Sequence, residues 1–144
     1  MAYNFDKHVQ KGNEFLNEVA CELGIPDNKG KAMRILKAVL HTLRDKISPE
    51  ESLQLIAQLP LFIKAIYVDG WRISGKHEKM RKMEDFLEAV ISRGGVAGDD
   101  DFQDIHQTES AVRDVFHILK QQVSEGEIID IIKIMPLDLR QLWA

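Results

Sequence analysis

The sequence predicts an all-α protein, a single compact helical bundle made of two tandem, pseudo-symmetric four-helix repeats. Three observations predict it. First, residues 32–68 lie over residues 108–144 without a gap. Val39 then falls on Val115, His41 on His117, Leu43 on Leu119, Ser48 on Ser124, Glu51 on Glu127 and Pro60-Leu61 on Pro136-Leu137. Second, apolar residues recur at spacings of three and four through most of the chain, the signature of one buried helical face. Third, a Ser-x-x-Glu start signal and a later proline appear once in each copy. A duplicated unit leaves an apolar face that its sibling covers. One domain is therefore expected over residues 1–144, with repeats over about 1–72 and 73–144.

The elements follow in order. In the first helix Phe5, Val9, Leu16, Val19 and Leu23 fall close to one face, and Gly24-Ile25-Pro26 ends it. The second runs from about Asn28 to Lys46 and carries Ala32, Ile35, Leu36, Val39, Leu40 and Leu43 inward. Ser48-Pro49-Glu50-Glu51 opens the third: Ser48 caps free amides, Pro49 suits the first helical position, and Glu51 completes a capping box. Pro60 breaks that helix and starts a short fourth through Leu61, Ile63 and Ile66.

The second copy repeats this order. A helix is expected from about His77 to Arg93, then a loop from Gly94 to Gln107, then a helix carrying Ala111, Val112, Val115, Phe116 and Leu119. Ser124-Glu125-Gly126-Glu127 caps the next, Pro136 interrupts, and a short helix ends with Leu142 and Trp143. Ile128–Ile134 and Leu61–Val68 are rich in β-branched residues and pass for strands on propensity alone. Their counterparts in the other copy read as helix, and the duplication overrules local propensity.

Composition sets the function classes. With 44% apolar and 29% charged residues the chain is ordinary for a globular protein and is not globally disordered. A formal net charge of −4 disfavours a nucleic-acid footprint, which needs clustered Lys and Arg. Cys21 is the only cysteine, so no internal disulfide forms and Cys₄ or Cys₂His₂ zinc sites are excluded. The sequence has neither a basic-then-apolar leader nor a long apolar run. A cytoplasmic protein without a membrane span is the expectation.

Several of these residues resemble an uncharacterised bacterial family known as domain of unknown function 2267. The matching features are Phe15-Leu16 with Val19, Ala38-Val39-Leu40, Ser48-Pro49-Glu50-Glu51, Ala57-Gln58-Leu59-Pro60, and Tyr67 with Asp69-Gly70-Trp71. Leu137-Asp138-Leu139-Arg140 and Trp143 fit too. The resemblance spans nearly the whole chain. It implies an all-helical bacterial cytosolic protein and brings no catalytic residues with it.

Each candidate site in the sequence also has a plainer reading. Gly70-Trp71-Arg72-Ile73-Ser74-Gly75-Lys76-His77 approaches a phosphate-binding loop, but His77 stands where a hydroxyl should hold magnesium, and no strand precedes it. A turn between the copies is the better account. Asp99-Asp100-Asp101-Phe102-Gln103-Asp104 fails as an EF-hand, because Asp104 and Ser110 occupy the places of the glycine and the bidentate glutamate. A solvated loop, with Asp104 or Thr108 capping the next helix, fits better. The cluster from Lys76 to Lys82 is diluted by Glu78, Glu84 and Asp85. Cys21 reads as a packing residue. No Gly-x-Ser-x-Gly elbow exists.

His41 and His117 occupy equivalent places. If both imidazoles converge on one cleft between the copies, they could share a metal or act as acid and base, with Asp69 and Arg72 nearby. The plainer reading turns both toward the flank. No catalytic residue, cofactor or metal is assigned. The leading expectation is a non-catalytic module that binds another protein or senses a condition. Tyr67, Trp71, Arg72 and Trp143 are its contact residues, since aromatic and arginine side chains dominate binding surfaces. Inter-helix packing is the plainer reading of Tyr67 and Trp143. A monomer, or a dimer through the aromatic surface, is compatible with the chain.

Overall fold

Gly24 marks where the first helix stops. In the computed structural model, which describes residues 4–73, 80–94 and 101–144, α1 runs Asp6–Glu22. Gly24 adopts φ +77°, a left-handed conformation that costs glycine little. The Ile25 N–H then returns to the Ala20 carbonyl and the Gly24 N–H to Cys21, a Schellman closure. Asn28 opens α2 (Lys29–Lys46) by accepting from the Lys31 N–H at 3.1 Å. Ser48 caps α3 (Pro49–Ile56), with Pro49 in the first turn as expected. Pro60 leads into α4 (Leu61–Val68).

α5 spans Met83–Arg93 and so begins later than the predicted His77. Lys82 before it is extended (φ −104°, ψ 151°), and the Met83 N–H donates to Asp138 Oδ2 at 2.6 Å. This N-terminus is therefore capped from the far end of the chain, a tertiary contact that no local motif announces. Asp104 caps α6 (Ile105–Gln122) through Gln107 N–H at 2.7 Å, one of the two alternatives read from the loop. Ser124 caps α7 (Glu125–Ile134), and Pro136 precedes α8 (Leu137–Arg140), which tightens into a 3₁₀ turn over Gln141–Trp143.

No strand occurs among the described residues. Both β-branched segments are helical, α4 and α7. In α7, Ile128 and Ile131 are buried and Ile132 packs against the core. At about 25 cal/mol per Å² of apolar surface, burial of this kind outweighs helix-propensity penalties of at most ~0.7 kcal/mol per residue.

The bundle is built around α2, which touches α1, α4, α5 and α6 and accordingly buries most of its residues. α1 also packs on α4 and α6, α5 on α6 and α8, and α3 on α7. Two ion pairs reinforce the packing. Arg34 grips the buried Asp101 bidentately at 2.8 and 2.9 Å, and Arg93 pairs with Asp45. No described helix is long and apolar enough to cross a membrane.

Candidate functional site

The C-terminal end of α4 gathers most of the residues singled out from the sequence. Arg44 reaches it from α2, donating from Nη1 to the carbonyls of Tyr67 (2.6 Å) and Asp69 (2.7 Å). A cation placed there satisfies carbonyls the helix leaves free and lies at the negative end of its dipole. His41, one turn earlier on α2, is buried, with Nε2 2.7 Å from the Ile66 carbonyl. That geometry makes Nε2–H the donor, so only Nδ1 remains for other chemistry. Burial lowers its pKa to about 4, against the opposing carbonyl bond and with help from Arg44, Arg93 and Lys37. His41 is neutral at pH 7.

His117 has a different fate. It is exposed on α6, its Nε2 3.1 Å from Gln121 Nε2 and 3.8 Å from Glu22 Oε1. The two histidines have different partners: His41 turns to the end of α4 and His117 to solvent. Asp69 is exposed and pairs with Lys37 at 3.2 Å.

Tyr67 and Trp143, expected at a contact surface, are core residues with 0% and 2% of their surface exposed. The correction has a physical cause. Each aromatic follows an apolar face on a short helix, and its large ring is worth more inside than out. Tyr67 keeps its hydroxyl 2.6 Å from Ser52 Oγ and meets Trp71 edge to face. Burial pushes its phenol above the ordinary range. Trp143 stacks on Phe116 with ring centres 3.9 Å apart, and its indole N–H donates to Met135 Sδ. Trp71 is half-buried and Arg72 exposed. Cys21, read as a packing residue, is exposed on α1. The phosphate-loop look-alike and the basic cluster fall partly on residues 74–79, outside the described residues, as do Asp99 and Asp100 of the acidic loop.

Two features escaped the sequence reading. One is an apolar groove of about 600 Å³ between α1, α2 and α4, lined chiefly by Val9, Leu16, Met33, Phe62, Ile63 and Ile66. Gly12 floors it: a Cβ there would lie 3.3 Å from Phe62 Cβ, so glycine in mid-helix lets α4 approach α1. The Lys37–Asp69 pair supplies its polar end. The sequence signal was Phe62 itself, an aromatic beside the inward positions of α4. The other feature is a convergence of Glu51, Glu127 and Asp130, the first two of which the sequence assigned to helix capping.

Residues 12–142 match the family described as an uncharacterized conserved protein, DUF2267. The chain belongs to that family. The resemblance carried by Phe15-Leu16, Ser48-Pro49-Glu50-Glu51 and Gly70-Trp71 is thus a true membership. No curated protein matches the chain. For this DUF2267 protein the description names no activity, so a functional reading has to come from the residues.

Proposed function

We propose that this DUF2267 protein is a non-catalytic module that binds another protein, with the groove between α1, α2 and α4 as its docking face. The observation that carries the reading is the apolar lining together with exposed apolar side chains at its rim. Phe62 and Val9 are each 43% exposed, although soluble surfaces seldom leave such residues side by side without use. The chemistry of the lining favours binding over catalysis: Asn13 and the Lys37–Asp69 pair are its polar members, with no nucleophile and base in contact. An amphipathic helix suits such a groove, its apolar face on Phe62 and Leu16 and a polar residue toward Lys37–Asp69. Trp71 and Arg72, just beyond α4, extend the contact.

The wider reading is one domain over residues 1–144, formed by duplicate units of about 1–72 and 73–144. Matching serine caps on α3 and α7 support it, and so do carbonyl contacts from Arg44 and Lys120 at equivalent places. A bacterial cytoplasmic setting suits the single free thiol. A net charge of −4 argues against nucleic acid as the partner.

Phe62→Asp and Trp71→Ala should leave far-UV circular dichroism unchanged and remove proteins captured by the wild-type chain. An identical captured set from all three would count against the reading. A second reading, a small-molecule or metal-binding protein with or without catalysis, draws on the groove's volume, which lies within the usual 300–1,000 Å³ of ligand sites. Asp69 lines it and His41 sits behind it through Ile66. Thermal shifts against small-molecule panels, lost in Ile66→Trp, would favour that reading.

A further inference from the structure

Glu51 and Glu127 stand at equivalent places, three residues after the capping serines. The serine half of each capping box forms: Ser48 Oγ accepts from Glu51 N–H at 3.2 Å and Ser124 Oγ from Glu127 N–H at 3.3 Å. In a complete box the glutamate turns back to the N–H of its own serine. Ser124 N–H is instead taken by Gln58 Oε1 at 2.7 Å. Glu127 is thereby released from capping, and its side chain lies where α3 packs on α7.

There the two glutamates meet. One oxygen each from Glu51, Glu127 and Asp130, one turn further along α7, all lie within 4.8 Å of one another. Glu127 is only 5% exposed, and its Oε2 is buried with no hydrogen-bond partner. Glu51 Oε1 is buried and unpartnered in the same way. Unpaired buried carboxylate oxygens are costly, and a carboxylate has no donor of its own to satisfy a second one. The groups that act on the Glu127 carboxyl are Glu51, within hydrogen-bonding reach, and Asp130, both acidic as well. Neither forms an ion pair with a described lysine or arginine that could compensate.

We propose that Glu51, Glu127 and Asp130 form a binding site for a hard divalent cation, which straps α3 to α7. The donors are all carboxylate oxygens, which select calcium, magnesium or manganese over the softer metals that favour His and Cys. Calcium accepts oxygen ligands in flexible geometry at about 2.3–2.6 Å, whereas magnesium demands a near-ideal octahedron at about 2.0–2.1 Å, so calcium is the favoured ion. Asp130 is exposed, which leaves water free to complete the coordination. The site is independent of the groove and of any partner bound there.

The test uses the full chain, stripped with EDTA, at pH 7.5. Calcium, magnesium and manganese chlorides are titrated in turn, with thermal unfolding and calorimetry as readouts. Manganese is also followed by water-proton relaxation. Calcium at 10 mM should raise the melting temperature by roughly 5 °C, for a dissociation constant near 0.5 mM, within the weak range known for calcium modules. Affinity should fall at least tenfold in Glu127→Gln and in Glu51→Gln, and be unchanged in Glu14→Gln on α1. In EDTA at pH 8, Glu127→Gln should be more stable than wild type, since it removes a buried repulsion. No shift, heat or relaxation change with any of the three ions overturns the proposal. So does equal affinity in Glu127→Gln. A wild-type stability that falls between pH 5 and 8 and ignores all three ions would mean that the carboxyls hold a proton only, which overturns it as well.

Discussion

Arg44 and Lys120, which fall on each other when residues 32–68 are laid over residues 108–144, make the same contact in two different settings. Each donates to the main-chain carbonyl of the aromatic residue that closes the following short helical segment, Tyr67 at 2.6 Å or Trp143 at 2.8 Å. Around Arg44 the junction is polar: the Tyr67 hydroxyl meets Ser52, and His41 holds the Ile66 carbonyl. Around Lys120 it is apolar. Trp143 stacks on Phe116, the residue at the place of Ser52 is the buried Ile128, and His117 stays in solvent. The shared contact is to the backbone, so it survives replacement of both side chains it joins. The surrounding residues change as sets, hydroxyl with hydroxyl and ring with ring, because a buried polar atom without its partner costs about 1–3 kcal/mol.

The largest effect should come from the apolar junction. Trp143→Ala removes a stacked, buried ring, and urea unfolding should register a loss of about 3–5 kcal/mol. Next comes the pair of cations. Arg44 is buried and serves two carbonyls, whereas Lys120 is exposed and serves one. Arg44→Ala should cost about 2–3 kcal/mol and Lys120→Ala about 1 kcal/mol or less. Equal losses would break the distinction between the two junctions. Arg44→Lys should recover part of the loss, since lysine already does this work in the second junction.

Acid should act on the polar junction through His41. His41 has its pKa lowered, chiefly by burial, from 6.5 to about 4. The folded state therefore resists protonation that the unfolded chain accepts. The stability tied to neutral His41 is complete above pH 6.5 and is lost as pH falls through 4. Wild-type stability minus that of His41→Gln should drop by about 2 kcal/mol over this window, allowing for solvent at the ring's open edge. Taking the difference cancels Glu127 and Asp114, whose pKa values are raised to about 7 and 6 and whose contributions run the opposite way.

Much of this architecture was legible in the sequence because helix ends are local chemistry. Asn28, Ser48, Asp104 and Ser124 cap where their side chains suggest, and Pro60 and Pro136 divide helices where the missing N–H demands. The start of α5 was not legible, since its cap is Asp138, remote in sequence. The fates of the histidines were not legible either. Equivalent positions share a helix face but not the element packed against it, and only α4 brings a free carbonyl, that of Ile66, to His41. The glutamates were misread for a related reason. A capping motif specifies the serine's bond to the backbone, while the glutamate carboxylate is long enough to be claimed by the neighbouring helix.

A single hydroxyl offers the sharpest test of the comparison. Tyr67→Phe deletes one buried hydroxyl and strands Ser52 Oγ, which has no exposure to water. A loss of about 1–2 kcal/mol is expected. Ser52→Ala should cost a similar amount, because it strands the phenol instead. If the polar junction holds together as a set, the double variant should cost less than the sum of the singles, by about 1 kcal/mol, since no unpaired atom is left behind. Strict additivity would mean that the 2.6 Å contact carries no coupling. The first junction would then differ from the second in composition alone, and exchanging Tyr67 for Trp would need no compensating change at Ser52.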